Sequence, residues 1–220
     1  MVDEFELEGL NQRADEMIEL LRTVHRPRMY IISGPSGVGK DSVIEQMRLS
    51  LPDLYYAVTA TTRTRRPGEI DGIHYFFLTP DEFEEQVESG EFLEHANVYG
   101  NLYGVPKARV RAAMQDGKSV VIKVDVQGAR SIRELVPPAV SIFLAPPDMA
   151  ELLRRLRGRK SDDYSEVLRR LSTATNELTS ATDFDYVVFN ESDSIPQTVA
   201  QIETIVLAEQ MRIEQPDITL

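Results

Sequence analysis

Short apolar, β-branched runs punctuate this chain at Met29–Ser33, Tyr56–Ala60, Ser119–Val124, Val140–Leu144 and Tyr186–Phe189, each of strand length. Amphipathic stretches lie between most of them, an alternation that predicts a parallel sheet covered by helices. Ser42–Leu49 reads as a helix. Thr79-Pro80-Asp81-Glu82 opens another, with an N-cap, Pro in the first turn and Glu three residues after the cap, and Gly90 closes it. Further helices are expected over Pro106–Asp116, stopped by Gly117, and over Pro147–Gly158, Glu166–Ser180 and Ile195–Met211. Before the first strand, Ile18, Leu20, Leu21 and Val24 form a partial helical stripe. It is expected to pack on the core or fray, the alternative being that it serves assembly.

Two segments break the alternation. Residues 61–105 are rich in Thr, Arg, Tyr and Gly, with Arg66-Pro67-Gly68-Glu69 and Asp71-Gly72 as turn signals, and read as a β-rich insertion. Residues 155–170 are dense in arginine and read as a loop between helices. The division that follows is an N-terminal extension 1–28, core 29–60, insertion 61–105, core 106–154, an arginine segment 155–170 and core 171–220.

Composition changes little in this picture. A chain of 220 residues, 42% hydrophobic and 27% charged, suits one globular α/β unit with excursions. Its net charge of −12 argues against a nucleic-acid polymer as partner, but not against a nucleotide, because charge near a site outweighs the total. No apolar stretch is long enough to span a membrane, and the acidic start resembles neither a secretory nor a transit leader, so the cytoplasm is the expected location. There is no cysteine, hence no disulfide or catalytic thiol.

The candidate chemistry starts at Gly34-Pro35-Ser36-Gly37-Val38-Gly39-Lys40, set between a strand and a helix. Glycines let several backbone N–H groups face one anion, the helix N-terminus adds positive potential, and Lys40 supplies a mobile charge for a β- or γ-phosphate. Such a spacing alone would arise by chance in roughly one chain in twenty of this length, and the flanking strand and helix make chance much less credible. Asp41 stands where this phosphate-loop motif expects Ser or Thr, with Ser42 one place later.

Taken together with Thr61-Thr62-Arg63-Thr64-Arg65-Arg66-Pro67-Gly68-Glu69, Asp71-Gly72-Ile73-His74-Tyr75-Phe76-Phe77, Phe92-Leu93-Glu94, Asn101-Leu102-Tyr103-Gly104 and Asp125-Val126-Gln127-Gly128, the chain resembles the guanylate kinases from Met29 to its last helix. The resemblance implies an α/β fold. Its P-loop kinase core has a mostly parallel five-stranded sheet flanked by helices, and carries a small β-rich GMP-binding insertion and an arginine-rich lid. It implies transfer of the γ-phosphoryl group of ATP to GMP or dGMP. Mg2+ would be held mainly by the ATP phosphates and water near Asp41 and Ser42. By that resemblance Gly34, Pro35, Ser36, Gly37, Val38, Gly39, Lys40, Asp41, Ser42 and Asn190 serve ATP. Thr59, Arg63, Arg66, Tyr75, Glu94, Tyr103 and Asp125 serve GMP. Lys40, Arg63, Arg155, Arg159 and Arg170 carry catalysis.

Elementary chemistry agrees with several of these roles. Arg63 and Arg66 offer planar forks, and Tyr75 and Tyr103 offer hydroxyls, to a phosphate dianion. Guanine presents two donors, N1–H and its 2-amino group, that a carboxylate accepts and that adenine cannot match, which suits Glu94 and Asp125. Phosphoryl transfer needs alignment, charge neutralisation and exclusion of water, all of which a lid of arginines supplies.

The chain departs from the family pattern at Asp41 and again at Lys123, where an acid is usual. The departures have opposite sign, so an Asp41–Lys123 ion pair is expected beneath the phosphates, since either charge alone would be costly there. Val105 stands where family members often carry Ser or Thr. Two other readings stay open: a kinase of a different small phosphate acceptor, and a binding module that holds a phosphorylated or acidic peptide without catalysis. Pairing of two copies through residues 1–28 is a further candidate.

Overall fold

The computed structural model describes residues 4–23, 26–98, 100–157, 164–191 and 194–220. Its centre is strand β1 (Met29–Ser33), buried along its whole length. Residues of this strand alternate between two cores. Tyr30 and Ile32 join one cluster with Val43 and Met47 of helix α2 (Lys40–Ser50) and Val199, Ile202 and Val206 of α8 (Ile195–Gln210). Met29 and Ile31 join the other, with Val110 and Ala113 of α4 (Lys107–Gln115) and Ala129 and Ile132 of α5 (Val126–Leu135). Because both faces are covered, the strand reads as an unbroken apolar run rather than as an alternation.

Beside β1 lie β7 (Val120–Lys123) on one flank and β8 (Val140–Ala145) on the other. β2 (Tyr55–Tyr56) and β9 (Tyr186–Phe189) take the edges of a five-stranded sheet ordered β2-β7-β1-β8-β9. Every pairing in it is parallel. The ligand edge of such a sheet is the carboxyl end of its strands. That edge receives residues 34–40 after β1 and Lys123 to Asp125 after β7, brought side by side by the register Ile32↔Lys123.

A second, four-stranded sheet has the order β4-β3-β6-β5, built from β3 (Ala60–Thr61), β4 (Phe76–Phe77), β5 (Phe92–Val98) and β6 (Asn101–Pro106). Helix α3 (Pro80–Glu88) covers it by stacking Phe83 on Phe92, ring centres 4.5 Å apart. The expected capping box is formed: Thr79 Oγ1 accepts from the Glu82 amide, and Glu82 accepts from the Thr79 amide at 2.7 Å. Helices α6 (Met149–Arg157) and α7 (Tyr164–Thr179), the latter ending in a 3-10 turn at Ser180–Asp183, pair through Leu152, Leu156 and Ala174.

The apolar run Tyr56–Ala60 is not one strand. Tyr56 ends β2 in the core sheet and Ala60 starts β3 in the second sheet, so the run is the passage between them. The expected helices do not include α5, whose first turn holds Gly128, a poor helix former. Its start signal is Asp125, an ordinary N-cap residue, whose Oδ1 accepts from the Gly128 amide at 2.8 Å. Helix α1 (Glu4–Thr23) forms, but every residue from 9 to 22 is exposed, so the stripe with Ile18, Leu20 and Leu21 does not pack on the core. Among the described residues no helix is long and apolar enough to cross a membrane.

Candidate active site

The loop after β1 is shaped by close approaches. A side chain at Gly34 would put its Cβ 2.2 Å from the carbonyl oxygen of Leu144 on the neighbouring strand, and Gly34 has a φ of 141°. Gly39, at φ 101°, would meet the amide of Asn190 at 2.6 Å. Gly39 is also the N-cap of α2 and has no side chain to satisfy the helix's first amides, which leaves them for an anion. Lys40 is half-buried at the end of the loop, its Nζ donating to the carbonyls of Gly34 at 2.6 Å and Pro35 at 3.2 Å. Burial lowers its pKa, while Glu177, Asp41 and Asp125 act in the opposite sense. This ammonium is held by weak neutral acceptors, which a phosphate outcompetes.

From the loop a cavity of about 650 Å³ runs to the second sheet, and its walls unite most of the residues assigned on sequence grounds. Ser36 to Ser42 form one end. Thr59, Arg63, Arg66, Tyr75 and Tyr103 form the other, with Glu94 and Asp125 at its floor. Arg63 is set by Glu69, whose carboxylate takes the guanidinium at 2.6 Å and the Arg66 amide at 2.7 Å. Burial would raise the Glu69 pKa, but these bonds prevail and lower it. Glu69 therefore fixes the fork of Arg63 and the backbone at Arg66, a positioning role that its place in Arg66-Pro67-Gly68-Glu69 could have signalled.

Glu94 has no such support. It is buried, and its Oε2 has no hydrogen-bond partner. Burial, with a smaller push from Asp125, raises its pKa to about 8. Gly128 makes room for it, since a Cβ there would lie 2.8 Å from that same oxygen. A buried acceptor without a donor marks the place where a ligand donor belongs.

The expected charge pair is present. Lys123 Nζ lies 2.5 Å from Asp41 Oδ1 and donates to the Tyr75 hydroxyl at 3.0 Å. Burial would lower the Lys123 pKa, but Asp41 and Tyr75 raise it above the ordinary lysine value, so it stays charged.

Other assignments land differently. Arg155 reaches the cavity, with its guanidinium on the carbonyls of Val38 and Asn190 and on Glu151 at 2.6 Å. Asn190 is buried behind the loop, its amide donating to Val38 O at 2.7 Å and accepting from Thr198 at 3.1 Å. In this position it braces the loop. Arg159 lies outside the described residues, and Arg170 lies on α7 with its side chain outside them. Glu177 of α7, which carries no sequence signal, accepts from the Ser36 amide at 3.0 Å and so occupies one of the loop's anion donors. Burial raises its pKa, against the pull of Ser36 and Lys40.

Comparison with known proteins gives one consistent answer. The family model described as guanylate kinase matches residues 26–209. The chain is 42% identical to a guanylate kinase of Corynebacterium efficiens over 82% of this chain and 95% of that one. It is 37% identical to one of Carboxydothermus hydrogenoformans over 86% of this chain and 92% of that one. Among solved structures, guanylate kinase from Anaplasma phagocytophilum superposes with a TM-score of 0.71 at 33% identity, covering 86% of this chain and 89% of that one.

Proposed function

The chain belongs to the guanylate kinase family, whose activity is phosphoryl transfer from ATP to GMP, and from that premise we propose how its own residues carry the reaction. The ATP phosphates lie on the loop 34–42, where Lys40 leaves the Gly34 and Pro35 carbonyls to follow the group being transferred. Arg63, Arg66, Tyr75 and Tyr103 hold the phosphate of GMP, or of dGMP, at the other end. Its oxygen is already anionic, so attack on the γ-phosphorus needs no general base. Arg155 shifts from the Val38 carbonyl onto the phosphates, joined by Arg159 and Arg170 as the lid closes and excludes water.

The observation that carries the reading is the orphaned Oε2 of Glu94 beside Asp125, in the same cavity as the phosphate loop. Both edge donors of guanine need acceptors, and an ionised Glu94 supplies them. Adenine has no N1–H to donate and forgoes that charge-assisted pair, a difference of about 1–3 kcal/mol.

The family's chemistry is generally Mg2+-dependent, and such an ion would be held mainly by the ATP phosphates and water near Asp41 and Ser42. Among the described residues no group of three or more His, Cys, Asp or Glu converges to hold an ion. The Asp41 carboxylate, the nearest acid on the loop, already carries the Lys123 ammonium. Any Mg2+ is therefore a companion of the ATP phosphates and water.

The test is an ADP-release assay with ATP and Mg2+ that compares GMP, dGMP, AMP, UMP and CMP. Turnover confined to GMP and dGMP is the expected result. Turnover with another acceptor would remove the base assignment, and GMP binding without turnover would favour a binding module.

A further inference from the structure

Lys123 sits at the seam between the two halves of the cavity. It ends β7 in the core sheet, and its ammonium touches one residue from each half. Asp41 is in the first turn of the phosphate-loop helix, and Tyr75 belongs to the clamp that the second sheet carries. The Lys123 side chain is 19% exposed, whereas that of Asp41 is 71% exposed. The carboxylate is thus solvated and replaceable, while the ammonium is fixed in the wall by the strand that bears it. The Tyr75 ring also lies under it, 4.7 Å from ring centre to Nζ. A fixed cation with an exposed, exchangeable counter-ion is how a protein stores charge for an incoming anion.

We propose that Lys123 is a resident cation of the phosphate channel: nucleotide phosphate displaces Asp41 from its ammonium, and the chain itself supplies neutralisation that would otherwise fall to a divalent metal. The proposal rests on the guanylate kinase reading of the cavity. It explains why an acid at position 41 is tolerated beside a polyanion. Asp41 guards the ammonium in the empty protein and turns to solvent when the phosphates arrive. No bond is made or broken by Lys123; it holds the charge of the oxygens between donor and acceptor.

The deciding measurement is calorimetric binding of ATP to the full chain, with Mg2+ and again in excess EDTA, for the wild type, Lys123→Met and Lys123→Arg. The wild type should bind metal-free ATP within about tenfold of its Mg2+-loaded affinity, since a charge-assisted contact of this kind is worth about that factor. Lys123→Met should lose a further tenfold or so in EDTA and much less with Mg2+, and Lys123→Arg should restore most of the loss. Equal weakening of Lys123→Met under both conditions, or no weakening in EDTA, overturns the proposal. A wild type whose affinity falls more than about a hundredfold in EDTA also overturns it, and that result needs no variant to fold. GMP binding to the wild type separates the two levels of the argument. If the wild type binds neither GMP nor ATP, the guanylate kinase reading itself fails; if it binds both and Lys123→Met is unaltered, only the role of Lys123 fails.

Discussion

The phosphate-binding and base-binding groups of the cavity are prepared for their ligands in opposite ways. Among the phosphate-binding groups, from the loop to the clamp, the named charges already have partners in the empty protein. Lys40 rests on loop carbonyls, Lys123 on Asp41, Arg63 on Glu69, and the Ser36 amide on Glu177. Among the base-binding groups Glu94 is buried with an oxygen that nothing satisfies, and its carboxyl is held up near pH 8. Phosphate binding is therefore an exchange of partners, in which gains are offset by contacts given up. Base binding is an addition, in which a donor fills a gap that no protein group fills. The comparison teaches where selectivity resides: any nucleotide offers phosphates, but guanine has the two donors that relieve Glu94.

The largest expected effect comes from removing the asymmetry. Glu94→Gln should lower kcat/KM for GMP by about a hundredfold, the order of a lost charge-assisted pair, while KM for ATP stays nearly unchanged. Steady-state kinetics with both substrates varied would show it, and an equal loss on the ATP side would erase the distinction between the two sets of groups.

An intermediate effect is expected among the paired groups. Asp41→Ala leaves the Lys123 ammonium in the wall without its counter-ion, and the melting temperature of the empty protein should fall by a few degrees. In Asp41→Ala with Lys123→Ala the melting temperature should recover most of that loss. Additive losses in thermal unfolding would mean that the two residues are independent.

The smallest effect belongs to Glu177→Gln. A neutral amide competes less well than a carboxylate for the Ser36 amide and Lys40, so KM for ATP should fall a few-fold with kcat little changed. A rise in KM would instead make Glu177 a support of the loop rather than a rival of phosphate.

Legibility in the sequence follows the same division. The phosphate loop was readable because close backbone approach demands glycine at fixed spacing, as at Gly34 and Gly39. The core strands were readable because burial on both faces leaves apolar runs. The Asp41–Lys123 pair was readable because two departures of opposite sign compensate only if they meet. Glu177 was not legible, since a glutamate on an amphipathic helix looks like solvated surface until the fold brings α7 over the loop. The split of the 56–60 run was also hidden, because an apolar stretch does not say which of two sheets each residue joins. Asn190 is assigned to the nucleotide by resemblance; that its amide also ties Val38 of the loop to Thr198 of the last helix was not legible, because Val38 lies far from it in sequence.

In the empty protein Glu94 waits, protonated, for guanine. Guanine donates along the edge that Glu94 faces, so the carboxyl must lose its proton when the base binds. A group whose pKa is about 8 in the empty protein is mostly protonated at pH 7, so binding should release close to one proton there. By the same linkage, GMP affinity should rise with pH up to about 8 and level off above it. Calorimetry of GMP binding at pH 7, in buffers of different ionisation enthalpy, counts that proton directly. The wild type should release close to one more proton than Glu94→Gln, and equal proton release from the two proteins would contradict the role given to Glu94.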